Sequence, residues 1–148
     1  MHGIEGLSEE RPGILFLCVA NSARSQMAEG LAREMAPAGV EIHSAGSEPA
    51  VINPFAVQAL AAIDIDATAQ HSKGIPDVPA DRIGLAITLC AEEVCPVFPH
   101  PVHKLHWPHE DPAAATGDDA ARLASFETVR DQLAARLRAL FEGDASAR

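Results

Sequence analysis

The chain has 148 residues, 47% of them apolar, and a net charge of −10 from 11 basic against 21 acidic residues. That length suits one compact domain with a proper core. The charge argues against nucleic acid and anionic membrane as partners, so any anion site must be electropositive locally. With one tryptophan and no tyrosine, little aromatic surface is left to stack on bases.

No apolar run approaches the ~20 residues of a membrane-spanning helix. The first dozen residues carry Glu5, Glu9 and Glu10 rather than a basic flank and a hydrophobic stretch, so they do not read as a signal peptide. Residues 1–12 are expected as a flexible N-terminal extension and residues 13–148 as the domain of a cytoplasmic monomer. Three cysteines without a secretory signal read as working thiols rather than a disulfide framework.

In chain order, Gly13-Ile14-Leu15-Phe16-Leu17 reads as a buried strand and is followed by a loop and a helix over about 24–36. Pro37-Ala38-Gly39 breaks that helix, and Val40–Gly46 reads as a second strand ending in a glycine turn. Asn53-Pro54 is an N-cap with proline at the first helical position, opening a helix that stops near Asp64. Residues 64–82 are polar and proline-bearing, a loop with a short helix. Ile83–Leu89 is a third buried strand delivering Cys90, and Val102–Trp107 alternates like a fourth. Over about 118–142, apolar residues at 123, 126, 129, 133, 137 and 140 define an amphipathic helix. The alternation predicts an α/β single domain, a four-stranded parallel open sheet flanked by helices on both faces. Ligands in such sheets bind beyond the carboxyl ends of the strands, where Cys18, Ser44 and Cys90 fall.

The loop Cys18-Val19-Ala20-Asn21-Ser22-Ala23-Arg24-Ser25 carries the chemistry. Lying between a strand and a helix N-terminus, its backbone N–H groups face whatever anion binds there. A cysteine in that field near a guanidinium is favoured as thiolate, the attacking form. Asn21 suits a loop position that needs positive φ. Val19, Ala20, Asn21, Ser22, Ala23, Arg24 and Ser25 are therefore the candidate oxyanion cradle around the nucleophile Cys18.

Cys90 and Cys95, with four residues between them, are either a strand-end residue and a loop thiol or two stations of a thiolate relay starting at Cys18. Cys90, Cys95, His100, His103, His106 and His109 also have the composition of a zinc site. Loose spacing, four prolines and strand alternation, which sends His103 and His106 to opposite faces, argue against it. No metal is expected, and most of these histidines are expected in solvent. In Glu110-Asp111-Pro112 a carboxylic acid overhanging the loop could protonate a leaving oxygen; a solvated turn is the alternative.

Together these segments resemble the thioredoxin-coupled arsenate reductases, which share the fold of the low-molecular-weight protein tyrosine phosphatases. The carriers are Cys18 through Gly30, His43-Ser44-Ala45-Gly46, Asn53-Pro54, Thr88-Leu89-Cys90, Cys95-Pro96, His106-Trp107 and Asp111-Pro112-Ala113. The resemblance implies Cys18 as nucleophile on arsenate, Arg24 as oxyanion clamp, Ser25 as support for the thiolate and Asp111 as general acid. It implies a Cys18–Cys90 disulfide as arsenite leaves, then a Cys90–Cys95 disulfide that thioredoxin reduces, with no bound cofactor. Some members bind potassium at positions matching Asn21, Glu29, Ser44 and an acidic residue where this chain has Lys73, so potassium independence is expected. Ala23 also departs from the family, and the relay cysteines are closer together than usual. Two rivals remain: a tyrosine phosphatase working with Cys18, Arg24 and Asp111 alone, disfavoured by Ala113 and the missing tyrosines, and a thiol-based metal sensor.

Overall fold

The computed structural model describes residues 3–91 and 94–143. The first two residues of the expected extension, Glu92 and Glu93 of the relay loop, and positions 144–148 of the expected domain lie outside the described residues.

Four parallel strands, β1 (Gly13–Cys18), β2 (Glu41–Gly46), β3 (Ile83–Thr88) and β4 (His103–His106), lie in the order β2-β1-β3-β4. Every residue of β1 is buried, which is why its sequence is a continuous apolar run and not an alternating one. Helices α1 (Arg24–Met35), α2 (Pro54–Ala61) and α3 (Asp119–Phe141) follow, with 3-10 turns at Ile75–Asp77, Ala80–Arg82 and Pro112–Ala114. Asn53 caps α2 by accepting from the Phe55 N–H, and Asp118 caps α3 by accepting from the Ala121 N–H. Phe126, Val129, Leu133, Leu137 and Leu140 form the buried stripe of α3, at the spacing read from sequence.

The two faces of the sheet are covered differently. Ile14, Phe16, Leu85 and Ile87 pack with Met27, Leu31, Leu60, Phe126, Leu133 and Leu137, which puts all three α-helices in one core cluster. Leu15, Leu17 and Ala86 on the opposite face pack, among the described residues, with Ala45, Ile83, Val78, Phe98 and partly buried residues from the 3-10 turns and loops, and with no α-helix. The helices expected on both faces are thus unevenly distributed. The described part of the β3-to-β4 connection covers the second face without a helix and is anchored by Phe98, which is 1% exposed.

Within residues 3–12, apolar side chains pack on the domain. Ile4 and Leu7 are buried and join the helix-side core, while Arg11 Nη1 donates to the carbonyls of Ala80 (3.2 Å) and Ile83 (3.0 Å). Gly6, at φ 91°, passes so close to the sheet that a Cβ there would lie 2.2 Å from the Gly84 carbonyl oxygen. Two apolar side chains in this stretch supply the burial that its acidic composition conceals. No helix among the described residues is long and apolar enough to cross a membrane.

Candidate active site

Cys18 ends β1 and Arg24 opens α1, so the intervening loop spans a strand end and a helix N-terminus as the sequence indicated. Asn21 is fully buried at φ 48°, the left-handed conformation Asn tolerates. Its side chain organises the loop from within. Nδ2 donates to Ser25 Oγ (2.8 Å) and Ser44 Oγ (3.0 Å), while Oδ1 accepts from Gln26 Nε2 (3.0 Å) and the Lys73 N–H (2.9 Å). Cys18 Sγ and Ser25 Oγ lie 2.8 Å apart, in hydrogen-bonding contact.

From outside, the carbonyls of Val19, Ala20 and Ser22 accept from the N–H groups of Glu48, Ala50 and Asn53 at 2.8, 3.0 and 2.9 Å. Gly46, at the end of β2, is needed for this approach: a Cβ there would sit 2.4 Å from the Val19 oxygen, 2.8 Å from the Asn21 nitrogen and 3.0 Å from the Cys18 oxygen. Helix α1 has no side-chain N-cap, unlike α2 and α3, and no acid in its first turn, so its dipole end faces the loop uncompensated. Cys18, Ala20, Ser22, Ala23, Arg24, Asp111 and Ala113 line a cleft of about 70 Å³, the size for a small anion. A larger cleft of about 380 Å³ beyond Asp111 has no cationic or thiol group in its wall.

Arg24 is 4% exposed; its Nη1 donates to the His109 carbonyl at 3.0 Å, and its Nη2 lies 4.0 Å from Asp111 Oδ2. Asp111 lines the cleft, and its Oδ1 also caps the 3-10 turn by accepting from the Ala113 N–H.

At the exit of β3, Leu89 donates to the Leu17 carbonyl and Cys90 is fully buried beside β1. Its thiol is pushed up to about 12, first by burial, then by the hydrogen bond and charge of Cys95 and the charge of Cys18, with Arg24 opposing. Cys95 is half-buried and its Sγ donates to the Cys90 carbonyl at 3.4 Å. All three cysteines are unpaired.

Asn21, Glu29, Ser44 and Lys73 also converge. Ser44 Oγ donates to Glu29 Oε1 at 2.6 Å, and the Lys73 ammonium lies 3.3 Å from the same oxygen, 3.4 Å from Ser44 Oγ and 3.1 Å from the His71 carbonyl. These residues do not fit a bound potassium ion, because Nζ already lies among the oxygens that would ligate it. A second cation ~4 Å away would cost about 4 kcal/mol of repulsion at an effective dielectric near 20.

The sequence reading missed three contributors. Gln26 and Gln70 clasp each other, Gln70 Nε2 donating to Gln26 Oε1 at 2.8 Å, and so tie α1 to the segment before Lys73. Nothing in their spacing announces this. His109, one of four histidines expected mostly in solvent, is buried, unlike exposed His100 and His106. Among the described residues no group of three or more His, Cys, Asp or Glu side chains could hold a metal.

Residues 13–146 match the sequence model of the low molecular weight phosphotyrosine protein phosphatase family. An arsenate reductase of Halalkalibacterium halodurans is 40% identical over 131 residues, covering 87% of this chain and 94% of that protein. The structure of an arsenate reductase from Archaeoglobus fulgidus is 28% identical with a TM-score of 0.75, over 87% of this chain and 98% of its own. A thioredoxin-dependent arsenate reductase from Corynebacterium glutamicum is 26% identical with a TM-score of 0.67, over 96% of this chain and 66% of that one.

Proposed function

We propose that this chain, which belongs to the low molecular weight phosphotyrosine protein phosphatase family and within it to the arsenate reductases, reduces arsenate to arsenite with electrons from thioredoxin. The observation that carries the reading is the gathering of three unpaired thiols at one end of the sheet, one inside an anion cradle and two at the neighbouring strand exit.

In this reading the Cys18 thiolate attacks arsenic while Arg24 and the loop N–H groups hold the oxyanion. Asp111 protonates the departing oxygen, which leaves as water, and a Cys18–arsenic bond remains. Cys90 then loses its proton and attacks Cys18 Sγ. The S–As electron pair passes to arsenic, so As(V) becomes As(III), arsenite leaves, and two thiols have become the Cys18–Cys90 disulfide. Cys95 attacks Cys90 Sγ, freeing Cys18 as thiolate, and thioredoxin's dithiol reduces the resulting Cys90–Cys95 disulfide. The contact of Cys95 with the Cys90 carbonyl supports a short second step, consistent with only four intervening residues.

No bound cofactor is required, and turnover is independent of potassium because the Lys73 ammonium takes that position. We take the protein to act as a monomer in the cytoplasm, where unpaired thiols persist. Hydrolysis of phosphate monoesters by Cys18, Arg24 and Asp111 alone, the second reading, would leave Cys90 and Cys95 without a task. Arsenate-dependent NADPH oxidation through thioredoxin reductase and thioredoxin tests the choice. Cys18→Ser, Cys90→Ser and Cys95→Ser each abolish it; normal turnover by both Cys90→Ser and Cys95→Ser would overturn the relay in favour of hydrolysis.

A further inference from the structure

We infer that His109 is a positioning residue for the oxyanion clamp: its ring fixes the main-chain turn whose carbonyl holds Arg24. Three contacts meet at this residue. Its N–H donates to the Leu89 carbonyl (3.0 Å), one residue before Cys90, and its own carbonyl accepts from Arg24 Nη1 (3.0 Å). Its Nδ1 lies 2.8 Å from the Trp107 carbonyl, and Arg136 stacks 5.6 Å from the centre of the Trp107 ring. The first two contacts are made by the backbone and would be available to any residue. The third is not, and it closes the turn from Trp107 to His109 that aims the carbonyl at the guanidinium.

A carbonyl accepts only, so the Trp107 contact requires the ring proton on Nδ1, and the ring serves as donor. Burial holds His109 below the ordinary histidine range, the Trp107 bond opposes this, and the charges of Arg136 and Arg24 reinforce the burial. The neutral ring is therefore the form this site keeps. Arg24 itself is almost wholly buried, so it cannot recover the lost partner from water if the turn opens. A guanidinium displaced by under an ångström loses alignment with a tetrahedral anion, and the loss falls on binding before chemistry.

The inference rests on Arg24 being the clamp, and the experiment separates the two. The arsenate KM, kcat and competitive inhibition by sulfate are measured for the full chain and for His109→Phe, His109→Asn, His109→Gln and Arg24→Lys. Asn carries a donor at the distance of Nδ1 from the backbone, whereas Gln moves it one methylene further. Phe and Gln are expected to raise KM and weaken sulfate inhibition about ten-fold, the scale of one misplaced charge-assisted hydrogen bond, with kcat within about two-fold. Asn is expected to stay within about two-fold of the native chain. If Phe does not fold, the contrast of Asn with Gln decides. Equal effects of Asn and Gln, native behaviour of Phe, or a fall in kcat at constant KM would overturn the inference while a strong effect of Arg24→Lys leaves the clamp standing. Unchanged sulfate inhibition in Arg24→Lys would overturn both.

Discussion

The exits of β1 and β3 lie side by side, yet they are built on opposite plans. Residues 18–25 are held from both sides: the Asn21 side chain makes four hydrogen bonds, to Ser25, α1, β2 and the Lys73 main chain, and three outer carbonyls are paired with the chain beyond β2. The described part of 90–97 has one side-chain hydrogen bond, from Cys95 to the Cys90 carbonyl, and Val94 and Val97 are 91% and 70% exposed. An anion cradle has to be preorganised, because donors that reorganise during reaction lose their advantage. A thiol that attacks one neighbour and is then attacked by another has to travel. In the proposed relay, the difference puts anion binding in the tied exit and the later thiol exchange in the looser one.

Removing the travelling thiol should have the largest effect. Cys90→Ser is expected to lower steady-state arsenate reduction by at least about 10³-fold, the size typical for loss of a residue acting in a covalent step, while sulfate still competes for the loop. Loss of sulfate competition in that variant would mean the two exits are not independent. Stability should split the same way. Gly46→Ala drives a methyl into three main-chain atoms of the cradle and is expected to cost about 3 kcal/mol in urea unfolding. Val97→Ser, on the exposed exit, is expected to stay within about 0.5 kcal/mol. Similar costs at both positions would break the comparison.

The tied exit was the more legible in sequence, and the reason is physical. A buried central strand needs an unbroken apolar run, a cradle needs a residue tolerant of positive φ, and Ile14–Leu17 with Asn21 display both locally. What escaped was long-range and polar: the Gln26–Gln70 clasp, the burial of His109, and the docking of Ile4 and Leu7. Each depends on which surface the chain meets far away, and one glutamine or histidine looks alike in solvent and in a core. The uneven faces escaped for the same reason. Alternation predicts crossovers, not that the described part of the β3-to-β4 connection is without a helix and pinned by Phe98.

Lys73 joins the tied exit to a buried carboxylate and offers a sharper cut. Glu29 is 2% exposed and has Lys73 and Ser44 on one oxygen and the more exposed Arg33 at 3.3 Å on the other. Lys73→Met leaves that charge under-partnered, and the expected loss is about 2 kcal/mol, below the range for a fully buried pair because Lys73 is 14% exposed. The native chain should turn over equally in potassium and sodium chloride at matched ionic strength. The methionine variant should become slower and recover in part with potassium. Potassium activation of the native chain would remove Lys73 from the cation's position.

The smallest effect expected is on pH dependence, and it has opposite signs at Cys90 and at His109, which holds Arg24 of the tied exit. Cys90 is raised on folding from 9.0 to about 12, so the stability from burying its thiol is complete below pH 9 and is lost as pH rises toward 12. His109 is lowered from 6.5, so its contribution is complete above that value and is lost as pH falls below it, where the unfolded chain binds the proton more readily. Urea unfolding of the native chain and of His109→Asn should therefore run parallel above pH 7 and converge or cross toward pH 5, the native chain losing more. Because Asn keeps the donor to Trp107 and cannot titrate, the difference between the curves isolates the proton on the ring from the hydrogen bond it makes. Parallel curves down to pH 5 would mean that the ring accepts its second proton without leaving the turn, and that the seat of Arg24 tolerates a third cation beside Arg136.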